Sequence, residues 1–283
     1  MTVLEAIRKS KEFLEGKGVE SARLESEWLL GHVLKLPRLQ LYLKFDRELS
    51  AEETGSLREL VKRRGMREPL QHILGSACFC GLEIAVNRDV LVPRPETEIL
   101  AEHGWKFLNA LERPANFLDF GTGSGCIAIA LCRFAQGASG MALDKSSPAL
   151  EAARRNAAAN SAGERIRFLE SDGFAAVESG SSFDLIISNP PYIPAREIDG
   201  LQIEVRDHDP RGALDGGADG LDFYRLFASE AGRFLAPGGK LMLEFGDGQA
   251  EKIAANFQAQ GWTVEGVFND HQARPRVLQA RRE

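Results

Sequence analysis

From residue 117 onward, short unbroken apolar runs recur between helical stretches, and Leu185-Ile186-Ile187 is the clearest of them. A strand without polar alternation must be buried on both faces. A mostly parallel sheet covered by helices on each side does this. Strands are expected at Phe117–Phe120, Met141–Leu143, Ile166–Leu169, Asp184–Ser188, Lys240–Glu244, Thr263–Phe268 and Arg276–Gln279. Helical patterns lie between them; Ser147-Pro148, a cap followed by a first-turn proline, opens the one over Ala149–Ala159. The fold class is therefore α/β. Ligands of such sheets bind beyond the carboxyl ends of the strands.

Residues 1–74 read differently. Val3, Leu4, Ile7 and Leu14 fit one helix face, and Leu24, Trp28, Val33 and Leu34 mark a second helix. Ser50 with Glu53 is a capping box opening a third. The basic run Lys62-Arg63-Arg64 with Arg67 ends that helix. This is a small helical bundle with no catalytic cluster; the residual reading is a docking module for a macromolecule. Residues 75–92 change period, around Gly81 and Asn87-Arg88-Asp89, and are expected to form a β-hairpin linker. Residues 93–283 would then be the catalytic domain, entered through Pro93-Arg94-Pro95 and a helix beginning at Glu96-Thr97-Glu98.

Composition narrows the partners. Residues 1–75 carry 14 Lys+Arg against 12 Asp+Glu, and the remainder carries 21 against 29. An acidic catalytic half is a poor match for a phosphate backbone, so no direct nucleic-acid partner is expected. No apolar run approaches the ~20 residues of a membrane span, and the N-terminus lacks a signal peptide's apolar core, so the expected location is cytoplasmic with no membrane partner. Cys78, Cys80, Cys126 and Cys132 show no Cys-x-x-Cys spacing and read as buried free thiols. The five histidines are scattered, so no metal site is expected.

After the first strand comes Gly121-Thr122-Gly123-Ser124-Gly125, a turn in which glycine lets a ligand approach backbone N–H groups at a helix start. Its spacing is not the G-x-G-x-x-G of nicotinamide enzymes, and no Walker lysine follows. The second strand ends at Asp144, placed to accept ribose hydroxyls. The third ends near Asp172-Gly173, where an acid can take an adenine amino group. Together these predict an adenosine-type cofactor. The fourth strand ends in Asn189-Pro190-Pro191-Tyr192. The prolines remove two donors, so the surface offers two acceptors, the Asn189 side-chain oxygen and the Pro190 carbonyl, beside a flat Tyr192 ring. That set suits a planar NH2 group.

These motifs resemble the amino-group-directed S-adenosylmethionine methyltransferases. Residues Arg67–Gly75, Val92-Pro93-Arg94-Pro95-Glu96-Thr97-Glu98 and Ala213–Leu221 further resemble the HemK/PrmC family, whose members methylate the glutamine of the Gly-Gly-Gln loop in peptide-chain release factors. The resemblance spans nearly the whole chain. It implies a Rossmann-like, seven-stranded S-adenosylmethionine-dependent methyltransferase domain behind the helical bundle. It also implies S-adenosyl-L-methionine as cofactor and class I release factors as partners. By the same resemblance, Gly121–Gly125, Asp144, Asp172, Gly173 and Asn189 would hold the cofactor. Asn189, Pro190, Pro191 and Tyr192 would hold the substrate, with Asn189, Pro190 and Tyr192 at the chemistry. Two positions depart from the family pattern. Gly173 stands where an aromatic residue is common, leaving open whether Phe174 replaces it, and Asp209-Pro210 stands where Glu-Pro is common. The alternative is a nucleic-acid amino N-methyltransferase that flips a base onto Tyr192.

Overall fold

The structure is a computed structural model and describes residues 1–282. It contains two compact units: Met1–Ser76 together with Gln202–His208, and Ala77–Leu201 together with the chain from Asp209 onward.

The small unit is helical: α1 (Val3–Glu15), α2 (Ala22–Leu34), α3 (Arg38–Leu41), α4 (Ala51–Gly65) and α5 (Leu70–Leu74). Capping boxes start α1 at Thr2/Glu5 and α4 at Ser50/Glu53, satisfying N–H groups that the first helical turn leaves open. Prolines 37 and 69 precede the two short helices, which the periodicity does not show. Leu14, Leu29, Leu30 and Leu41 are fully buried in its core. The second helix follows the expected face only in part: Val33 and Leu34 pack on the core, whereas its other two expected residues do not. Ser26, Leu29 and Leu30 point inward, and Ser26 returns its hydroxyl to the Ala22 carbonyl at 2.7 Å, while Leu24 and Trp28 are exposed.

The basic run at the end of α4 is consumed by ion pairs. Arg63 pairs with Glu68 at 2.6 Å. Arg64, 5% exposed, lies between Glu25 and Glu204. Arg67 grips Glu204 with two bonds of 2.7 Å. Glu204 belongs to α9 (Ile203–Arg206), so these guanidiniums hold a segment 137 residues further along the chain. Burial works against the Glu204 carboxylate, but Arg67 and Arg64 outweigh it and keep it below the usual carboxylate range.

The large unit begins with a two-stranded hairpin, β1 (Ser76–Phe79) and β2 (Leu82–Ala85). The hairpin is shorter than the expected 75–92 linker and packs within this unit: Phe79, Ile84, Val86, Val90 and Val92 are all buried in its core. Strand alternation exposes Cys78, and Cys80, in the turn after β1, is half-buried, so only Cys126 and Cys132 are the buried thiols expected of all four.

Next come α6 (Pro95–Ala110), β3 (Asn116–Phe120), α7 (Cys126–Phe134), β4 (Ser139–Asp144), α8 (Ser147–Ala159), β5 (Ile166–Glu170) and β6 (Phe183–Ser188). After α9 the chain completes α10 (Asp222–Glu230), β7 (Leu235–Glu244), α11 (Ala250–Ala259), β8 (Trp262–Asn269) and β9 (Pro275–Arg282). The seven-stranded sheet has the order β5-β4-β3-β6-β7-β9-β8. The first five of these run parallel, and β9 is antiparallel to both β7 and β8. Every residue of β6 is buried, as its apolar run requires. Separate cores cover the two faces, one around Phe117, Leu131 and Ile187, the other around Tyr224, Phe227 and Phe257.

The strand order reverses between β3 and β6, whose carboxyl ends lie side by side with Asp119 paired to Ile187. Just beyond, the Ser188 hydroxyl donates to the Phe120 carbonyl at 2.6 Å.

Replacing Glu204 by alanine removes the acceptor that Arg64 and Arg67 share. At about 2 kcal/mol for charged hydrogen bonds of this kind, amides of residues 202–208 should exchange with solvent tens of times faster, read by hydrogen–deuterium exchange. Unchanged protection there would remove the clasp.

Candidate active site

The turn leaving β3 needs three glycines. Gly121, Gly123 and Gly125 have φ of 70°, 55° and 82°, a region L side chains rarely adopt. At Gly125 an added Cβ would also lie 3.1 Å from Ala153, so this glycine lets α7 and α8 pack. At Gly121 and Gly123 the same position meets nothing within 4 Å; these two glycines border a cleft.

The turn is held from two sides. The N–H groups of Gly121 and Thr122 both donate to the Leu143 carbonyl at 2.9 Å. Asp144, at the end of β4, accepts from the Gly123 amide through Oδ2 and from the Ser146 amide through Oδ1, each at 2.9 Å. Below the loop, Asp119 is wholly buried and accepts from the Thr122 hydroxyl at 2.6 Å and the Ala128 amide at 3.2 Å. Burial pushes its carboxyl up to about 7 against those two bonds. Thr122 and Ser124 are therefore buried parts of the turn, and with Gly125 they lie off the cleft surface.

The cleft holds about 850 Å³ counted out into open solvent. Gly121, Gly123, Asp144, Asp172, Gly173, Asn189, Pro190 and Pro191 all reach it. So do residues the sequence reading leaves out: Asp89, Val90 and Leu91 after the hairpin, Lys145, and Phe223 from α10. Phe174 does not take the open place beside Gly173. It is 4% exposed and stacks at 5.2 Å on Phe234 beneath the cleft, and Phe223 and Phe120 supply the aromatic surface instead. Ser171 shapes this turn by donating to the Gly173 carbonyl at 2.8 Å and accepting from the Ala176 amide at 3.1 Å.

Tyr192 departs from expectation too. Its ring does not line the cleft; it packs on the backbone of Gly246, where a Cβ would lie 2.9 Å from the ring. Burial pushes its hydroxyl up to about 12. Its carbonyl accepts from Gln249 at 2.9 Å, which ties the turn to the segment after β7. Asn189 instead reaches both ways: it lines the cleft, and its Nδ2 donates to the Thr97 hydroxyl at 3.0 Å. Arg94 and Asp209 join the two proline-bearing segments, Nη2 to Oδ2 at 2.6 Å, and Pro210 borders the cleft. An aspartate in place of the commoner glutamate thus still meets an arginine. Among the described residues no group of three or more His, Cys, Asp or Glu side chains is placed to hold a metal.

The cleft offers the parts an adenosyl cofactor needs: glycines with open space above them, an acid at the end of the second strand of the sheet, a second acid after the third, and the rings of Phe120 and Phe223. Asp144 spends one lone pair per oxygen on the backbone and keeps the others. Asn189 lies one strand away, across the reversal in strand order.

Comparison with known proteins agrees. Residues 5–75 match the PrmC N-terminal domain family and residues 98–203 the methyltransferase small domain family. A T. thermophilus 16S rRNA N2 G1207 methyltransferase, solved with AdoMet and guanosine, shares the fold with a TM-score of 0.51 at 23% identity, over 74% of this chain and 50% of that one. The release factor glutamine methyltransferase of Rhodospirillum rubrum is 42% identical over 95% of this chain and 82% of its own. That of Geobacter sulfurreducens is 46% identical over 92% of this chain and 90% of its own. With similarity of this degree running through both units, the chain belongs to the release factor glutamine methyltransferase family.

Proposed function

We propose that the chain methylates the side-chain amide nitrogen of the glutamine in the Gly-Gly-Gln loop of class I release factors, in the cytoplasm, with S-adenosyl-L-methionine as donor and S-adenosyl-L-homocysteine as product. The observation that carries the reading is Asn189, which faces the cleft with its NH2 group already engaged by Thr97 and its carbonyl oxygen left for a donor.

A carboxamide nitrogen is a poor nucleophile because its lone pair is delocalised; the peptide rotation barrier of ~18–20 kcal/mol measures that resonance. Bound S-adenosyl-L-methionine supplies a reactive methyl and a neutral leaving group. What remains for the chain is alignment and charge. Gly121 and Gly123 border the space for the donor's methionine end, Asp144 takes the ribose hydroxyls, and Asp172 with the turn at Gly173 lies against adenine. Thr122, Ser124 and Gly125 contribute by holding that loop in shape. Asn189 Oδ1 and the Pro190 carbonyl each accept one N–H of the glutamine amide. As nitrogen gains positive charge its N–H groups become stronger donors, so these acceptors bind the transition state more tightly than the ground state. Tyr192, turned away from the cleft, supports the turn through Gly246 and Gln249. No base poised near neutrality is needed, because the methylated nitrogen is acidic enough to release its proton to water.

The helical unit is the candidate docking surface for the release factor. Its arginines 63, 64 and 67 are spent on carboxylates, which argues against a role in gripping a nucleic-acid backbone.

Mass spectrometry of a bacterial release factor incubated with the protein and S-adenosyl-L-methionine should show one added methyl group, and none on a variant with alanine in the Gly-Gly-Gln loop. Asn189→Ala should lower kcat by about 10²-fold, the usual loss for one preorganised group at a site of developing charge, with donor affinity in calorimetry unchanged. Wild-type turnover in that variant would remove the assigned role. Asp144→Ala should weaken donor binding by roughly ten-fold or more, as loss of charge-assisted hydrogen bonds implies.

A further inference from the structure

Two buried side chains stand behind Asn189. Thr97, in the first turn of α6, is 3% exposed, and Glu244, the last residue of β7, is 2% exposed. Asn189 Nδ2 donates to Thr97 Oγ1 at 3.0 Å, and the Glu244 carboxyl is the neighbour of that hydroxyl on its far side. Glu244 Oε2 has no hydrogen-bond partner among the described residues. A carboxyl kept in the interior at this cost calls for a reason.

The proton count supplies one. A threonine hydroxyl carries a single proton, and a carboxylate can only accept. The neighbouring Glu244 carboxylate can take the Thr97 proton, which leaves Thr97 Oγ1 as the acceptor it is toward Asn189. An acceptor can face only the NH2 half of the asparagine amide, so the C=O half is turned toward the cleft. We propose that Glu244 and Thr97 are positioning residues that fix the direction of the Asn189 amide, so that the cleft takes the nitrogen end of a primary amide and rejects its oxygen end. The inference rests on the glutamine-methylation reading and adds the basis on which two ends of nearly equal size are told apart. Adding one proton to Glu244 reverses the chain. The carboxylic acid donates to Thr97, Thr97 donates to Asn189 Oδ1, and the amide turns over to present NH2 against the glutamine NH2.

The surroundings of Glu244 put that reversal within reach of ordinary pH. Burial raises its carboxyl to about 7, the Thr97 hydroxyl opposes this, Glu96 adds to it, and Arg276 and Arg94 reduce it. Tyr192, Tyr224 and Cys126 are the other titratable groups within its field. The productive carboxylate form exists above that value and is lost as pH falls through it.

The test is steady-state methylation of a release factor, with donor affinity measured separately by calorimetry. Thr97→Val keeps the volume and deletes the hydroxyl; Thr97→Ser keeps the hydroxyl. Thr97→Val should lower kcat by roughly ten-fold, about 1.4 kcal/mol, with unchanged donor affinity, and Thr97→Ser should recover most of it. The wild-type kcat should fall on an acidic limb near pH 7 that Glu244→Gln lacks, its rate staying low throughout. Wild-type kcat in Thr97→Val, equal damage from serine and valine, or a limb surviving in Glu244→Gln overturns the inference. A wild-type protein that leaves the release factor unmethylated overturns the reading beneath it instead.

Discussion

The pairing of β3 with β6 is the constraint on which the rest of the large unit depends. These strands are neighbours in the sheet but separated in the chain by β4 and β5, and helices leave them toward different sides. Their carboxyl ends therefore stay uncovered and open into one cleft. One end supplies the glycine turn and the other supplies Asn189. The Ser188–Phe120 hydrogen bond locks the two ends at a common level. A slip of one residue would point every side chain of a strand to the opposite face. Because the middle of β6 is apolar and buried on both faces, this bond at one end and the Asp184 carboxylate at the other, which accepts from the Asn116 amide and Arg113, fix its alignment on β3.

Acidic side chains do the finer positioning. Asp119 supports the loop from below, Asp144 from the side, and Asp209 holds the segment that borders the far wall through Arg94. Each is spent on backbone amides, a hydroxyl or a guanidinium that would otherwise be unsatisfied or mobile. Preorganisation of this kind is what a reaction with little acid–base chemistry needs, since most of its acceleration comes from alignment.

Much of this was legible in the sequence, for identifiable reasons. The strands of the sheet announce themselves because unbroken apolar runs suit only doubly covered strands. The glycine turn and Asn189-Pro190-Pro191 are legible because backbone geometry restricts which residues can stand there. What stayed hidden depends on side-chain direction. Nothing local shows that Thr122 turns down to Asp119, that Tyr192 lies on Gly246, or that Phe223 borders the cleft in place of Phe174. Thr97 looked like an ordinary first-turn helix residue and Glu244 like the end of a strand. The exposed Leu24 and Trp28 fit a helix face as well as the buried Leu29 and Leu30, so the period identified α2 without identifying its inner side.

The capture of residues 202–208 by Arg64 and Arg67 gives the chain an unusual connectivity. The backbone passes between the two units three times, after Ser76, after Leu201 and after His208, where a simple two-domain chain would pass once. The helical unit is thus assembled from two pieces of chain. The second piece begins only ten residues after Tyr192. Cleaving the polypeptide at Ser76 would not yield two finished halves. The catalytic fragment would carry an orphaned carboxylate at Glu204, and the helical fragment a buried Arg64 short of one of its two counter-charges. Dissection experiments on this architecture need to graft residues 202–208 onto the first fragment or replace them in the second.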